Sequence, residues 1–295
     1  MTHLHKHWKG ISLFLLPTLA LYCTFFIFPL GFLFVTSFTD WTGVQIGEFV
    51  GLANYRELFA NPTFHLSIRN NIVWALSLGV GHIAMASVVA MILARQPRGW
   101  RTLRTVYFLP NVISQVAIAM MWAMIYNAEY GALNRLLEIF GAGHLGRNWL
   151  GSVETALPAV IFQQVFYIGY FMIIMLAATM SIPKSLYEAA EIDGASVLQQ
   201  ELYITIPMNR QITVTCMTLA IAFGLRHFEA TFLLTGGGPA NRTSVMGIML
   251  YNNLHFLRYG RANAIGAVLV GVGVLVIVGL RSTLGRRDAQ QDAKQ

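Results

Sequence analysis

Six long apolar stretches constrain this chain more than any other feature of its sequence. Five contain no Asp, Glu, Lys or Arg, and the sixth has three ionisable residues near its end. A helix needs about 20 apolar residues to cross the hydrocarbon core of a bilayer. Backbone groups in lipid must be paired, and no alternating ten-residue pattern indicates a barrel. The sequence therefore predicts an all-α membrane protein with six transmembrane helices. Their predicted bounds are 11–38, 72–94, 105–128, 155–183, 212–234 and 262–280.

The composition excludes an ordinary soluble domain. Apolar residues make up 56% of the chain and charged residues 11%, whereas soluble domains average about 25% charged residues. We expect one membrane domain over residues 1–295, surrounded by the lipid bilayer. The net charge of +7 could suggest a nucleic acid partner. The basic residues lie mostly between the apolar runs, however, so the charge reflects membrane topology and we expect no nucleic acid partner. His3, His5 and His7 precede the first run, where their position favours a solvated tail over a metal site.

The distribution of Lys and Arg predicts the orientation in the membrane. Twelve basic residues lie in the two termini and in the second and fourth loops, seven lie in the other loops, and Arg226 lies within a run. Basic residues accumulate on the cytoplasmic side, so both termini are predicted to be cytoplasmic. The twelve are Lys6, Lys9, Arg95, Arg98, Arg101, Arg104, Lys184, Arg210, Arg281, Arg286, Arg287 and Lys294.

Residues 184–207 of the fourth loop, called loop 184–207 below, have the pattern of two short helices joined by a turn. Ser185 and Glu188 have the spacing of a capping box, and so do Ser196 and Gln199. Gly194 lies where a left-handed residue would end the first helix. The proline at position 207 suits the first turn of the next long helix.

Loop 184–207 also has the composition of a docking element. Ala189 and Ala190 are small enough to enter a groove on a soluble partner, and Glu188 is placed to pair with a basic group there. The alternative from the residues alone is a loop in which Glu188 only caps its own helix.

The spacing in this loop resembles the signature of permease subunits in binding-protein-dependent ATP-binding-cassette importers. In that signature Glu-Ala-Ala is followed after three residues by Gly, and after nine more by Ile-x-Leu-Pro. The chain has this spacing, with Ile206 in place of Leu. The resemblance implies the type I importer permease fold, in which the loop is the coupling helix that enters a cleft of the ATPase subunit. It assigns ATPase coupling to Glu188, Ala189, Ala190, Asp193, Gly194 and Pro207.

Two further stretches resemble the carbohydrate-uptake branch of this family. They are Phe49–Tyr55 after the first run and Leu234–Pro239 at the end of the fifth. The resemblance implies a permease subunit of the maltose or glycerol-phosphate type, forming half of a translocation pore for a sugar or sugar-like solute. The implied partners are a second homologous permease, two ATP-binding-cassette ATPase subunits and an extracytoplasmic solute-binding protein. ATP and Mg are expected in the ATPase subunits, with no cofactor on this chain, in a bacterial inner membrane.

The resemblance also implies positions for a solute pathway. Counting from the Glu-Ala-Ala motif, it places Phe166, Tyr167 and Tyr170 on the fourth helix, and Ala220, Phe223, Gly224 and His227 on the fifth. Tyr170 and Phe223 have the aromatic character expected against a pyranose face. Ala220, Gly224 and His227 depart from the polar residues expected there, which argues against maltose itself.

Arg226 and Glu229 add ionisable side chains to the fifth run. Ionisable residues inside a span are costly and often functional. Their spacing places them one helical turn apart, so a structural ion pair is equally open.

Two other kinds of protein were weighed against the importer subunit. A secondary carrier or channel without an ATPase would have paired broken helices, which the sequence does not indicate, and would leave loop 184–207 unexplained. An intramembrane enzyme would need a motif such as His-Glu-x-x-His or Gly-x-Ser-x-Gly, and neither occurs. We therefore expect a transport subunit with no catalytic residues and no metal site.

Overall fold

The computed structural model describes residues 8–45 and 47–292, and this part of the chain is built from helices and loops without a strand. His3, His5 and His7 lie outside the described residues. The α-helices are α1 Trp8–Tyr22, α2 Phe28–Thr36, α3 Ala53–Ala60, α4 Pro62–Leu76, α5 Ile83–Ala94, α6 Trp100–Phe108, α7 Gln115–Ile125, α8 Ala132–Ile139, α9 Ala156–Val165, α10 Gly169–Met180, α11 Lys184–Ile192, α12 Val197–Gln200, α13 Ile206–Met208, α14 Arg210–Leu225, α15 Glu229–Thr235, α16 Met246–His255 and α17 Tyr259–Asp292. π-helical turns occupy Cys23–Ile27, Ser77–His82 and Glu201–Thr205, and 3₁₀ turns occupy Leu109–Val112 and Gly143–Leu145.

Three continuous helices are long and apolar enough to cross a membrane, namely Ser12–Thr36, Pro62–Ala94 and Tyr259–Gly279. Three further helix pairs pass the same test of length and composition only together, because each is bent at a short break. The count of six spans therefore stays a prediction. It is correct only if each bent pair crosses the membrane as one span. The bends are 100° between α6 and α7, 40° between α9 and α10, and 41° between α14 and α15.

The expectation that no paired broken helices occur is wrong. The predicted fourth and fifth helices are both interrupted, at residues 166–168 and 226–228. Neither interruption contains a proline or a glycine, the residues that usually mark a helix break in sequence. The bend between α6 and α7 does follow a proline, Pro110, which cannot continue the hydrogen-bond ladder of a regular helix.

The helix that contains the predicted second span begins at Pro62, ten residues before the apolar run at Ile72. The added turns are polar but buried, with Ser67, Asn70 and Asn71 at most 2% exposed. Their side chains pair inside the protein, so the helix continues where the hydropathy signal has already ended.

The chain contains two compact units, and each is described by itself. The first comprises residues 1–62 and 249–271. In it, the amide of Asn54 donates to the carbonyls of Ser37 and Thr39 at 2.9 and 2.8 Å, and the Tyr55 hydroxyl lies 2.7 Å from Ser37 Oγ. Gly51 turns the chain with φ +58°. These bonds hold the Phe49–Tyr55 stretch, which ends in the first turn of α3, against the end of α2.

The second unit comprises residues 63–248 and 272–295, and it contains loop 184–207 together with the predicted pathway residues. Its core forms where α5 packs on α10. Ala86 and Ala90 are fully buried, and their small side chains admit Met172 and Met175 of α10. Helices approach closely in membrane proteins where one of them presents small residues. The prediction of a single domain over residues 1–295 stays a prediction.

Candidate functional site: loop 184–207 and the surface at the helix breaks

Loop 184–207 folds as a helical hairpin whose turn is stabilised locally. Gly194 has φ +77°, a conformation that glycine adopts without steric cost. Its N–H donates to Glu191 O at 3.0 Å, and the Ala195 N–H donates to Ala190 O at 2.9 Å. This pair of bonds is a Schellman motif, which satisfies carbonyls at the end of α11. The prediction of a left-handed residue at position 194 is confirmed.

The second arm of the hairpin begins with the predicted capping box. The Gln199 N–H donates to Ser196 Oγ at 3.4 Å, and the Ser196 N–H donates to Gln199 Oε1 at 2.7 Å. The predicted box of Ser185 and Glu188 is wrong. The first arm, α11, starts at Lys184 after Pro183, so Ser185 is already inside the helix.

Pro207 also differs from its expected place. It lies in the three-residue α13, while the long helix α14 starts at Arg210. α13 follows the π-helical turn Glu201–Thr205, and Asn209 separates it from α14. Proline lacks an N–H and disrupts a regular α-helical ladder, which fits its position among these irregular turns.

The predicted coupling residues lie at the surface of the second unit. Glu188, Ala189, Asp193, Gly194 and Pro207 are exposed, and Ala190 is half-buried. Apolar side chains of the same hairpin are exposed as well, with Ile192 at 87% and Leu198 at 67%. Contiguous exposed apolar side chains, rimmed by charged ones, mark an interaction site.

The base of the hairpin is held by polar contacts. The Tyr187 hydroxyl lies 2.8 Å from Thr205 Oγ1, which ties the first arm to the second. Arg95, at the end of α5, donates from Nε to Glu201 Oε1 at 2.7 Å. A cleft of ≈ 220 Å³ lies beside these contacts. Loop 184–207 is thus exposed at its tip and anchored at its base.

Four of the predicted pathway residues lie within the two helix breaks. Phe166 and Tyr167 lie between α9 and α10, and Arg226 and His227 lie between α14 and α15. The two breaks begin 60 residues apart in sequence, at residues 166 and 226, so their correspondence was not visible in either run alone.

Tyr170, Phe223 and Arg226 form one exposed surface, called the aromatic surface below. The rings of Tyr170 and Phe223 lie 6.5 Å apart between centroids and are 45% and 37% exposed. The Arg226 guanidinium lies 5.2 Å above the Phe223 ring, within the range of a cation–π contact. Phe166 is exposed too, but it stacks on Trp122 at 5.9 Å.

The other predicted pathway residues are packed inside the unit. Ala220 is fully buried and Tyr167 is 7% exposed. A Cβ at Gly224 would lie 2.5 Å from the Ala75 Cα, so Gly224 permits close approach of α14 to α4. His227 stacks on the buried Trp74 with 3.6 Å between ring centroids. The departures from expected polar residues at 220, 224 and 227 therefore coincide with helix packing.

Arg226 and Glu229 do not form the ion pair that their spacing allowed. Among the described residues, Arg226 has the cation–π contact and no ion pair with Glu229. α14 ends at Leu225, so the chain between them is not helical and the one-turn spacing does not apply. Glu229 instead occupies the first turn of α15, where a negative charge interacts favourably with the helix dipole.

A polar stripe on α4 holds the break in the fifth helix, and the sequence analysis missed it. Asn71 Nδ2 donates to the Leu225 carbonyl at 2.6 Å, and Asn71 Oδ1 accepts from the Met246 N–H at 2.8 Å. Asn70 Nδ2 donates to the carbonyls of Arg242 and Ser244 at 2.9 and 2.7 Å. The sequence did contain a signal for this stripe. Ser67, Asn70, Asn71 and Trp74 are spaced three and four residues apart, which places them on one face of a helix.

The fold defines a class of protein, a helical protein with several helices long and apolar enough to cross a membrane. The family model described as "binding-protein-dependent transport system inner membrane component" matches residues 83–287, about two thirds of the chain. The chain belongs to this family. It is therefore a transport subunit rather than an enzyme.

Curated relatives align over almost the whole chain. The probable ABC transporter permease protein YurN of Bacillus subtilis is 35% identical, covering 88% of this chain and 90% of the relative. The multiple sugar-binding transport system permease protein MsmF of Streptococcus mutans is 32% identical, covering 95% and 94%. The trehalose/maltose transport system permease protein MalF of Thermococcus litoralis is 31% identical, covering 94% of both.

Two solved structures have the same fold. One is a bacterial alginate ABC transporter in complex with an alginate-bound periplasmic protein, with a TM-score of 0.82 and 24% identity over 94% of both chains. The other is a bacterial ABC transporter involved in the import of alginate, with a TM-score of 0.79 and 25% identity over 96% of both chains. The predicted ABC importer permease fold is confirmed. This fold match favours an importer subunit, although broken helices are also typical of secondary carriers.

Proposed function

We propose that this chain is one of two permease subunits of an ATP-driven importer and forms half of the translocation pore for a sugar or sugar-like solute. The observation that carries the proposal is loop 184–207, an exposed hairpin whose Glu-Ala-Ala motif ends at the Schellman turn of Gly194. An anchored base and an exposed apolar tip suit an element that transmits movement from a soluble partner.

In this proposal each part of loop 184–207 has a physical role. Ala189 and Ala190 admit close approach of the ATPase surface, while Glu188 and Asp193 offer charges to its basic groups. Gly194 provides the turn, and Pro207 marks the irregular connection into α14. The two ATPase subunits bind ATP and Mg, and this chain binds neither.

The sugar assignment is supported by the relatives and by the aromatic surface. MsmF and the Thermococcus MalF are named for multiple sugars and for trehalose/maltose. Exposed aromatic rings such as Tyr170 and Phe223 suit the apolar face of a pyranose, and Arg226 offers donors to hydroxyl oxygens. In the proposed pathway Phe166 and Glu229 flank this surface. Tyr167, Ala220, Gly224 and His227 support it from within.

The proposed assembly contains a second homologous permease, two ATPase subunits and an extracytoplasmic solute-binding protein. We place the chain in a bacterial inner membrane with six spans and both termini in the cytoplasm. This arrangement puts loop 184–207 on the side where ATP is available and the Gly236–Gly238 turn on the other.

Purification from the native host tests the proposal. The tagged chain, extracted in mild detergent, should bring down a second six-span permease and a protein with a nucleotide-binding motif. Replacing Glu188 with Lys should weaken ATPase attachment without preventing membrane insertion, and Glu129→Lys, at another exposed carboxylate, is the matched control. Recovery of the chain alone from intact membranes would contradict the proposal and favour a carrier.

A further inference from the structure

Arg95 connects loop 184–207 to the end of α5. Its Nε donates to Glu201 Oε1 at 2.7 Å, and its Nη2 donates to Gln200 Oε1 at 3.2 Å. The two acceptors are neighbours in the chain but 106 and 105 residues away from Arg95. A guanidinium presents its donors in a rigid planar fork, so two acceptors fix its orientation as well as its position. The contact therefore defines how α5 and the second arm of the loop meet.

Gln200 extends this connection to the turn of the hairpin. Its side chain is buried, with Oε1 accepting from Arg95 and Nε2 donating to the Ala195 carbonyl at 3.4 Å. Ala195 follows Gly194, and its own N–H donates to Ala190 O in the first arm. Hydrogen bonds thus run without interruption from α5 through Gln200 to both arms of loop 184–207.

Glu201 makes the connection sensitive to loss of its partner. Its side chain is 15% exposed, against 36% for Arg95. Its second oxygen, Oε2, is buried without a hydrogen-bond partner in the part of the chain that the structure describes. A carboxylate that has lost most of its hydration depends strongly on the cation beside it, unlike the members of an exposed pair.

The other end of the connection is firmly packed. Arg95 directly follows α5, whose buried Ala90 and Leu93 lie in the core that includes Met172 and Met175 of α10. Packed interiors transmit displacement because they have little free volume. A movement of the hairpin that reaches Arg95 is therefore passed to two core helices.

We propose that Arg95 is a positioning residue for transport coupling: through Glu201 and Gln200 it makes loop 184–207 and α5 move as one body when the ATPase subunits close. The inference rests on the proposed function of the loop. Arg95 acts through the loop and lies apart from the exposed tip that docks the partner. Its loss should therefore separate ATP hydrolysis from transport without detaching the ATPase.

The test uses the complete assembly in proteoliposomes with Arg95→Ala, Arg95→Lys, Glu201→Ala and the exchange Arg95→Glu with Glu201→Arg. The probe is radiolabelled maltose, trehalose or diacetylchitobiose, chosen as the one that the co-purified binding protein binds. Three quantities are measured for each variant, namely the ATPase co-purified per chain, the rate of Mg·ATP hydrolysis, and sugar taken up per ATP hydrolysed. Arg98→Ala is the matched control, because Arg98 is an exposed arginine three residues after Arg95, in the connection between α5 and α6.

We expect Arg95→Ala to keep its ATPase and to hydrolyse ATP, while uptake per ATP falls about tenfold, within the usual range of coupling between sites. Glu201→Ala should behave alike, and Arg95→Lys should lose less, because an ammonium keeps the charge without the fork. The charge exchange should restore at least half of the lost coupling, since it rebuilds the ion pair between positions 95 and 201 with the charges reversed.

Two results would overturn the inference while leaving the proposed function intact. One is an uptake-to-ATP ratio in Arg95→Ala equal to that of Arg98→Ala. The other is a loss of ATPase attachment in Arg95→Ala that the charge exchange does not restore, which would make the residue purely structural. If the wild-type assembly contains an ATPase but imports only solutes that are not sugars or sugar-like, the sugar proposal fails. The coupling ratio is then measured with the imported solute.

Discussion

Loop 184–207 and the aromatic surface both lie where helices are interrupted, but the interruptions are stabilised over different distances in the chain. The turn at Gly194 is closed by bonds between residues three to five positions apart. The carbonyl freed at the end of α14 is instead satisfied by Asn71, which lies 154 residues away. The bonds that close the hairpin turn are thus local in the chain, whereas the bond that satisfies the break behind the aromatic surface joins distant helices and forms only in the folded unit.

Replacing Gly194 should have the largest effect, because it disrupts the hairpin turn that local bonds stabilise. Proline requires φ near −65° and lacks the N–H that bonds to Glu191, so Gly194→Pro should cost the turn about 3 kcal/mol or more. We expect ATPase attachment to fall roughly 100-fold, measured as ATPase co-purified per inserted chain. Gly194→Asn is the control, because Asn tolerates the left-handed conformation. Full attachment in the proline variant would mean that the turn is not needed for docking.

Replacing Asn71 tests whether the break between α14 and α15 depends on its long-range hydrogen bonds. Asn71→Leu leaves the Leu225 carbonyl and the Met246 N–H without partners in a buried site, at about 1–3 kcal/mol for each group. The purified chain should unfold at a lower temperature, and uptake should fall while ATPase attachment persists. The exposed Asn252, replaced by Leu, serves as the control. Unchanged unfolding and uptake would show that the break does not depend on α4.

Truncating the aromatic surface should have a moderate effect on transport alone. Phe223→Ala removes the contacts with Tyr170 and Arg226, and aromatic contacts are worth about 0.5–1.5 kcal/mol beyond their area. We expect the KM for sugar uptake to rise roughly three- to tenfold with ATPase attachment unchanged. Phe140→Ala, at an exposed phenylalanine that directly follows α8, is the control. An unaltered KM across the sugars tested would remove Phe223 from the pathway.

The smallest expected effect belongs to the cap of the second arm. Ser196→Ala removes the side-chain acceptor of the Gln199 N–H, which typically costs about 1 kcal/mol. ATPase attachment should weaken severalfold, and Ser196→Asp should restore it, because Asp is also a favourable cap. The measurement is the ATPase concentration that half-saturates the chain in nanodiscs. Equal values for all three proteins would place α12 outside the docking element.

A feature could be predicted from the sequence when the residues that form it are close together in the chain. The Ser196 and Gly194 signals operate within one helical turn, so residue types alone predicted them correctly. The Ser185 box failed although its spacing was suitable, because the helix cap is Pro183, two positions before Ser185, so Ser185 already lies inside α11. The Arg226–Glu229 pair failed because a helical spacing was applied across a break that no local residue announces.

The sequence by itself determined the membrane class, the helical architecture, and the hairpin with its Gly194 turn and Ser196 cap. These depend on hydropathy over one span or on turn chemistry over a few residues, and both are local quantities. Only the tertiary structure decided that Tyr170, Phe223 and Arg226 share a surface, that Ala220 and Gly224 pack inward, and that Arg95 meets Glu201. Such contacts join helices far apart in the chain, and their geometry depends on how small residues such as Ala86 and Gly224 let those helices approach.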